Sequence, residues 1–547
     1  MKRLLNILFL FLCATSLIAQ NKEIKNVILL IPDGTSLASV STARWFQRYM
    51  DPEMINLHID PYICGTILTY CSDAPIGDSA PTTACYMTGY PSLTGYVSTY
   101  PVADPLNDIV PMDPKKAYQP LMTLMEAVRI VQNKSIGLVI TCEFPHATPA
   151  DCAAHSYKRD KYEWIAPQMV HNQIDVVIGG GVSILNDEYK QFLKNEGYGL
   201  FLNDITGFRD YPGDKMWALF ADKAMAYDID RNPEQEPSIA EMTKVAIEKL
   251  SRNENGFFLM VEGSKIDWAA HANDARAIIS DMLAFDEACG EAFKFAEENG
   301  ETLVIVVPDH GNSGISIGSD RCPGYSSLTK DQLFGNVAKF KTSAEVLIRI
   351  LHNTKPSDLQ QIFLDLTGIT LTDSEYDQLL KSGDYHLSSL SEGERMKGSR
   401  LAKEVAAILN KYTCFGFTTT GHTGEEVFLA VYDPRPGQRM TGFHTNIELN
   451  HYMCKAIGLE NLLDSLTDEY FAKHTDVFNG YPYTIDILNT NPVLKVKNKK
   501  TTLEVQPNTS IVKLNGKDLK LSSVVVYVDK NNTFYLPQSL RGLLEMK

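Results

Sequence analysis

The stretch NVILLIPDG (residues 26–34) decides the fold class, because its apolar residues follow one another without polar alternation and end at an acid and a glycine. Runs of the same kind recur along the chain as SIGLVITCEF (135–144), IDVVIGGG (174–181), GFFLMVEG (256–263) and TLVIVVPDHG (302–311). Strands that are apolar on both faces are typical of a parallel sheet that is covered by helices on both sides.

Helical patterns alternate with these runs, as in LMTLMEAVRIVQ (121–132) and ARAIISDMLAFDEACGEAFKFAEEN (275–299). Strands and helices alternate in this way in βαβ units. We therefore predict an α/β fold with a doubly wound, mostly parallel sheet and helices on both faces. The functional site of such a sheet lies at the carboxyl ends of its strands.

The domain organisation follows from the points at which this alternation of strands and helices changes. We predict a catalytic domain over residues 20–475, interrupted at about 314–412 by an insertion whose later part is polar and helical. Residues 476–547 alternate with a period of two and contain Asn-Gly and Asn-Asn turns. That pattern predicts a small antiparallel β module at the C-terminus.

The N-terminus has the pattern of a secretory signal peptide over residues 1–19. Lys2 and Arg3 precede a short apolar run, and Ala19 is a suitable cleavage point. We expect a periplasmic or secreted protein; the alternative is a lipoprotein acylated at Cys13. The rest of the chain has no long apolar run, which predicts that it has no transmembrane segment.

Composition limits the partners of the protein. The 547 residues carry a formal net charge of -16, which argues against a protein that holds nucleic acid by broad phosphate neutralisation. An anionic substrate must then be attracted locally, by metal ions or by a well-placed arginine. The chain has ten cysteines, and export permits one or two disulfide bridges that the sequence cannot assign.

Residues that can bind a metal follow the predicted strands. They are Asp33, His146, Thr148, Glu262, Asp267, His271, Asp309, His310 and, much later, His422. Asp267 and His271 are spaced to share one face of a helix. Each residue alone has an ordinary explanation, because an acid after a strand often caps the next helix. Their joint placement at one edge of one sheet predicts a site for two or three metal ions.

Ser79 lies in GDSAPTTACYMTG (77–89), directly after an acid and at the start of a predicted helix. A serine in this place serves as a helix N-cap or as a nucleophile at the helix end, and both roles use the same geometry. The stretch alone leaves the two roles open.

Six motifs in order carry a family resemblance: DG after the first strand, DSAxxT, HATPA with a later arginine, VEGxxIDxxxH, PDH and GHTGEE. Together they resemble the alkaline phosphatase family. The resemblance extends from about Asn26 to Ile457 and fails only in the insertion and the tail.

The resemblance implies a role for each matching residue. Ser79 is the expected nucleophile, which forms a phosphoserine intermediate, and Arg159 is expected to clamp two phosphoryl oxygens. The ligands implied for one zinc are Asp267, His271 and His422. Those implied for a second zinc are Asp33, Asp309 and His310. Those implied for magnesium are Asp33, Thr148 and Glu262. Relatives are commonly homodimers, and the implied substrates are small phosphate monoesters.

Two positions depart from some relatives. His146 lies where some carry aspartate, and Trp268 lies where some carry lysine or histidine near the phosphate. We expect both side chains to lie near the substrate or behind the ligands, and a third zinc in place of magnesium stays open.

General chemistry agrees with these roles. Two cations ~4 Å apart can stabilise the attacking and the leaving oxygens of an in-line displacement. A serine hydroxyl needs activation by a metal or a base, and a helix N-terminus adds partial positive charge where an anion forms. The arginine fork matches two phosphoryl oxygens. We therefore expect Ser79 to cap its helix and also to attack phosphorus.

Other readings remain open on the sequence alone. A phosphodiesterase or a sulfatase can use the same scaffold, but a sulfatase needs a C-x-P-x-R motif, which this chain lacks. Thr148, Glu262 and Arg159 favour a dianionic monoester over a diester. A non-catalytic phosphate- or metal-binding surface protein is the third alternative. His444 is a rival of His422, and His155 is expected to have a packing role.

Overall fold

The computed structural model describes residues 23–322, 324, 326–382, 400–488 and 491–545. The predicted signal peptide (1–19), with Cys13, lies outside the described residues, as does the part of the insertion over 383–399.

The first fourteen strands belong to the sheet domain. They are β1 (Asn26–Ile31), β2 (Ile63–Leu68), β3 (Ser135–Glu143), β4 (Val176–Gly180), β5 (Gly199–Leu202), β6 (Met216–Leu219), β7 (Phe257–Glu262), β8 (Thr302–Val306), β9 (Gly311–Asn312), β10 (Ser316–Ile317), β11 (Phe415–Gly416), β12 (His422–Thr423), β13 (Val427–Tyr432) and β14 (Gly442–Thr445).

Ten of these strands form the central sheet in the order β14-β2-β13-β8-β1-β7-β3-β4-β6-β5. The neighbours from β8 to β5 are parallel, and β14 is parallel to β2. Strand β13 lies antiparallel between β8 and β2. The predicted α/β fold with a mostly parallel sheet is confirmed.

Strand β1 explains why its sequence is apolar without alternation. Val27, Leu29 and Ile31 pack in the core on one face of the sheet, whereas Ile28 and Leu30 pack in the core on the other face. All of these side chains are fully buried. At ~25 cal/mol per Å² of apolar surface, burial on both faces is the main stabilising contribution of such a strand.

Helices cover both faces of the sheet. The α-helices of the sheet domain are Leu37–Met50, Ser79–Thr88, Leu124–Gln132, Ala147–Ala153, Tyr162–His171, Asp187–Asn195, Ile205–Asp210, Ile239–Leu250, Lys265–His271, Ala275–Asn299, Asn446–Ala456 and Leu463–Tyr470. Among the described helices, none combines the length and the apolar character needed to cross a bilayer.

The segment between β10 and β11 is helical, as the sequence indicates. Its helices are Lys330–Phe334, Ala344–His352, Leu359–Thr367, Asp373–Lys381 and Arg400–Lys411. They form a separate apolar core that packs against Phe46 and Ile279 of the sheet domain. A disulfide joins Cys322 to Cys414 across this segment, with a Cα–Cα distance of 5.8 Å.

The C-terminal module is an antiparallel sheet. Its strands are β15 (Ala472–Lys473), β16 (Tyr483–Leu488), β17 (Asn491–Lys497), β18 (Thr502–Val505), β19 (Thr509–Leu514), β20 (Lys517–Val528) and β21 (Thr533–Leu536), followed by helix Leu540–Glu545, while helix His474–Val477 follows β15. Val524, Val526 and Tyr535 are buried against the core of the sheet domain. The module is therefore packed onto the main domain.

Candidate metal centre

Three neighbouring parallel strands deliver acids to one edge of the central sheet. Strand β1 lies between β8 and β7, and Ile31 is in register with Glu262, the last residue of β7. Asp33 follows β1 and Asp309 follows β8 within a few residues. All three carboxylates are fully buried. Parallel strands end at the same edge, so these side chains converge as the sequence predicts.

The first ligand cluster consists of Asp33, Asp309 and His310, whose candidate ligand atoms lie within 4.8 Å of one another. His310 Nε2 is 3.4 Å from Asp33 Oδ1 and 3.5 Å from Asp309 Oδ2. His310 Nδ1 lies 3.0 Å from the carbonyl oxygen of Gly311, which can only accept a hydrogen bond. Nδ1 therefore carries the proton in the neutral ring, and the Nε2 lone pair faces the carboxylates, as a metal ligand requires.

The second ligand cluster consists of Asp267, His271 and His422. His271 Nε2 is 3.4 Å from Asp267 Oδ2, and His422 Nε2 is 3.7 Å from Asp267 Oδ1. The two imidazole Nε2 atoms lie 3.2 Å apart.

Backbone carbonyls fix the tautomers of this second pair. His271 Nδ1 lies 2.6 Å from the oxygen of Thr420, and His422 Nδ1 lies 2.9 Å from the oxygen of Gly77. Both Nε2 lone pairs then face each other, which is unfavourable unless a cation lies between them. In a tetrahedral zinc site with bonds of about 2.0–2.1 Å, two nitrogens are about 3.3 Å apart. The pair is thus suited to share one zinc ion.

The two clusters are contiguous. The ring centroids of His310 and His422 are stacked 3.7 Å apart, and Asp267, His310 and His422 also form a group with ligand atoms within 4.8 Å. Asn312 Nδ2 donates a hydrogen bond of 2.6 Å to Asp267 Oδ1 and holds that carboxylate in place. The arrangement provides two adjacent cation sites.

A third set of oxygen atoms lies beside the first cluster. Within the described residues, Thr148 Oγ1, Glu262 Oε1 and Asp33 Oδ2 are buried and have no hydrogen-bond partner. Buried polar atoms are satisfied in most proteins, so three unsatisfied oxygens point to a bound group. Oxygen ligands of this kind suit magnesium.

The electrostatics of the metal-free site are unfavourable. Burial and the charges of Asp309, Asp267 and Glu262 raise the pKa of Asp33 well above its ordinary value. Burial is also the main reason that the pKa of Glu262 rises from 4.5 to about 7. Burial and the neighbouring His310 lower the pKa of His422 to about 4. Cations would relieve the repulsion among the acids. The neutral imidazole of His422 can bind a cation through its free nitrogen lone pair.

Ser79 lies against the first ligand cluster. Its Oγ is 3.3 Å from His310 Nε2 and 3.5 Å from Asp33 Oδ1. Helix Ser79–Thr88 has its N-cap at Asp78, so the expectation that Ser79 caps the helix is wrong by one residue. As the first helical residue, Ser79 directs its hydroxyl to the ligands, and the helix N-terminus adds partial positive charge there.

Arg159 is held beside Ser79 by Asp78. Arg159 Nη1 donates a hydrogen bond of 2.6 Å to Asp78 Oδ1, and its backbone nitrogen donates one of 2.8 Å to the oxygen of Gly95. Burial raises the pKa of Asp78, but Arg159, His310 and His422 together outweigh burial and hold that pKa below its usual range. This ion pair explains why Asp78 makes no side-chain cap: its carboxylate orients the arginine.

The remaining histidines and the tryptophan are placed as follows. The rings of His146 and Trp268 meet edge to face with centroids 5.8 Å apart, next to the third set of oxygens. His155 is buried with its Nε2 3.2 Å from Glu126 Oε1, a packing role. His444 lies on edge strand β14, where its Nε2 is 3.0 Å from the oxygen of Thr441, away from both clusters. The structure thus brings His422, and not its rival, to the metal ligands.

Comparisons with known proteins identify the family. The model of the family "Alkaline phosphatase" matches residues 24–459. "Alkaline phosphatase 3" and "Alkaline phosphatase 4" of Bacillus subtilis (strain 168) are 30% and 31% identical to the chain, over 80% and 75% of it and over 89% and 84% of their own lengths. The chain belongs to the alkaline phosphatase family. It is therefore a phosphoric monoester hydrolase, in preference to the diesterase and the non-catalytic alternatives.

A solved alkaline phosphatase has the same fold. The cold-active enzyme from the psychrophile Shewanella sp. superposes with a TM-score of 0.67 at 25% identity, covering 79% of this chain and 99% of that one.

Two residues of this alkaline phosphatase site were not singled out from the sequence. Asp78 orients Arg159, and Asn312 holds Asp267. Asp78 is adjacent to the serine in DSAxxT, and Asn312 follows PDHG, so closeness to a motif was the available signal.

Proposed function

We propose that this alkaline phosphatase hydrolyses small phosphate monoesters through a covalent phosphoserine on Ser79, with two zinc ions at the two ligand clusters and a third cation, magnesium or zinc, beside them. The observation that carries the proposal is the position of the Ser79 hydroxyl, 3.3 Å from His310 Nε2 and 3.5 Å from Asp33 Oδ1. A serine in contact with the ligands of a cation is placed to be activated by it.

The chain's own residues define two steps. In the first, the Ser79 hydroxyl loses its proton and Oγ forms a bond to phosphorus, while the ester bond breaks and the leaving oxygen takes up a proton to depart as the alcohol. In the second, water breaks the Ser79–phosphorus bond, which restores the hydroxyl and releases phosphate. The bound cations would supply the positive charge that stabilises the attacking and leaving oxygens.

Arg159 selects for a monoester in this scheme. Its planar fork can donate two hydrogen bonds to two phosphoryl oxygens, and Asp78 keeps the fork oriented beside Ser79. A monoester has three unesterified oxygens, two for this clamp and one left for the cations, whereas a diester has only two and the clamp would leave none.

The test compares Ser79→Ala with Ser510→Ala, a buried serine of strand β19 in the C-terminal module, which contributes none of the proposed ligands. Hydrolysis of p-nitrophenyl phosphate and bis(p-nitrophenyl) phosphate is measured together with zinc and magnesium content. We expect Ser79→Ala to lose monoesterase turnover by at least about 10³-fold while it keeps its metals, as when the nucleophile is removed from a catalytic assembly. Full turnover of this variant would refute the mechanism, and equal diester turnover by the native enzyme would favour a phosphodiesterase.

Export is the second part of the proposal. We expect residues 1–19 to be removed as a signal peptide, and the Cys322–Cys414 disulfide is consistent with an oxidising compartment. N-terminal sequencing of the mature protein tests this expectation: a start at Gln20 supports cleavage after Ala19, whereas an acylated Cys13 at the N-terminus identifies a lipoprotein.

The homodimer expected from the family resemblance is likewise a proposal. Light scattering coupled to size-exclusion chromatography tests it, and a single-chain mass would reject it.

A further inference from the structure

We propose that the third cation site of this protein includes the thiolate of Cys142, together with His146 and Glu262, and therefore binds zinc in preference to magnesium. The inference rests on the proposed function, because it concerns the ion beside the two catalytic ligand clusters. It replaces an all-oxygen site by one with sulfur and nitrogen ligands.

The three ligand atoms converge. Cys142, His146 and Glu262 form a group whose candidate ligand atoms all lie within 4.8 Å of one another. Cys142 Sγ is 3.4 Å from Glu262 Oε2. With a Zn–S bond of about 2.3 Å and a Zn–O bond of about 2.1 Å, sulfur and oxygen in a tetrahedral site are about 3.6 Å apart. The observed spacing therefore suits a shared zinc ion.

The local fold explains the convergence. Cys142 is near the end of β3, which is parallel to β7, and Ile140 is in register with Glu262. The chain then turns, and the backbone nitrogen of His146 donates a hydrogen bond of 2.9 Å to the backbone oxygen of Glu143. This turn in CEFPH brings the imidazole back towards the thiol. His146 is the N-cap of helix Ala147–Ala153, so its backbone is fixed.

The ligand atoms interact with one another: the Cys142 thiol donates a hydrogen bond of 3.4 Å to Glu262 Oε2, itself an atom of the proposed site. In the part of the chain that the structure describes, His146 Nδ1 and Glu262 Oε1 are buried without a hydrogen-bond partner. Cys142 is fully buried. Trp268 packs edge to face on His146 with a centroid distance of 5.8 Å and limits the rotation of the ring. A buried imidazole and carboxylate left unsatisfied beside a thiol form a coherent site for a cation.

Ligand chemistry decides between the metals. Thiolate and imidazole favour zinc, whereas magnesium prefers oxygen atoms in octahedral geometry. When the metal binds, the S–H bond breaks, a sulfur–metal bond forms and the proton leaves to solvent. The alternative magnesium set of Asp33, Thr148 and Glu262 shares Glu262 with this site, so the two ions compete for that carboxylate.

Cobalt substitution tests the sulfur ligand directly. The native enzyme is stripped and reloaded with Co²⁺, and the near-ultraviolet spectrum is searched for a thiolate-to-cobalt charge-transfer band. We expect the band in the native protein and in Cys152→Ala, and its loss in Cys142→Ala and Cys142→Ser. Cys152 is a matched control because it is also buried but faces the oxygen of Thr148 at 3.7 Å. The serine variant keeps the size of the side chain if the alanine variant folds poorly.

Metal counting provides the second readout. With zinc and excess magnesium present, the native protein should retain about one zinc more per chain than Cys142→Ala, which should carry magnesium instead. Absence of the band in the native enzyme, or magnesium in its third site, would overturn the inference. Ser79-dependent turnover without the band refutes this inference alone, whereas the band without Ser79-dependent turnover refutes only the proposed mechanism.

Discussion

Replacing Glu262 by glutamine should stabilise the metal-free protein at neutral pH and destabilise the metal-loaded protein. The reason is the buried carboxylate, whose pKa rises from 4.5 to about 7, chiefly through burial. Between these two pH values the folded chain keeps a proton that the unfolded chain has lost. Stability contributed by Glu262 therefore falls as the pH rises through this window.

The magnitude follows from the same shift. At about 1.4 kcal/mol per pKa unit, the native metal-free protein loses about 3 kcal/mol by pH 7 relative to the variant, and nothing at or below pH 4.5. With about 2.1 cal/mol/K of unfolding entropy per residue, this corresponds to about 3 °C in the thermal midpoint. The pKa of His422 is lowered to about 4, so the stability contributed by His422 rises with pH, opposite to that of Glu262. The contribution of Glu262 is therefore obtained from the difference in stability between variant and native protein.

The assay is thermal unfolding of Glu262→Gln and native protein from pH 4 to pH 8, with a chelator and with zinc and magnesium. The exposed Glu254→Gln is the matched control and should show no pH-dependent difference. With metals present we expect the variant to be less stable than the native protein, because it has lost an anionic ligand. A glutamine variant that gains no stability between pH 4.5 and pH 8 in chelator would refute the electrostatic reasoning.

Three further predictions concern other parts of the molecule. His422→Ala should lose zinc by elemental analysis whereas His444→Ala should keep it, and equal zinc in both would contradict the ligand assignment. Arg159→Ala should lower kcat/KM for a monoester by roughly 10–100-fold, since a charge-assisted hydrogen bond contributes about 1.5–3 kcal/mol, with unchanged metal content. Cys322→Ser should destabilise the insertion by about 2–4 kcal/mol in urea unfolding, because the bridge to Cys414 closes a loop of 92 positions; an unchanged midpoint would show that the bridge contributes little.

The sequence was most informative where a segment is buried on both faces. Strands β1, β3, β4, β7 and β8 were each predicted from an apolar run, because two-sided burial leaves no polar alternation. Helix Ala275–Asn299 has the predicted bounds, set by its Asp274 N-cap and by Gly300 in left-handed conformation.

The direction of each strand in the sheet could not be predicted from the sequence. The run VFLAVY in β13 is as apolar as its neighbours, yet it is reversed between β8 and β2. Hydrophobicity reports burial and not orientation, so a single antiparallel strand in a mixed sheet has no separate signal. Strand β2 could not be predicted for a different reason: it is only partly buried, and its pattern lacks a continuous apolar run.

Some parts of the metal site could be predicted from the sequence and others could not. Side chains that follow a strand, such as Asp33 and Asp309, could be predicted because the topology places them together. The carbonyl oxygens of Gly77 and Thr420, which set the tautomers of two histidines, could not, because every residue has such an oxygen. Contacts of this kind depend on the folded positions of loops that are distant in sequence.

The pairing of β10 with β11 and the adjoining Cys322–Cys414 bridge hold the two ends of the helical insertion next to each other. The polypeptide therefore leaves and re-enters the sheet domain at nearly one point, a few residues before His422. A protein engineer who exchanges this appendage for a new recognition element would have to keep its packing against Phe46 and Ile279 and the ion pair of Glu345 with Lys265, which lies on the helix of Asp267 and His271.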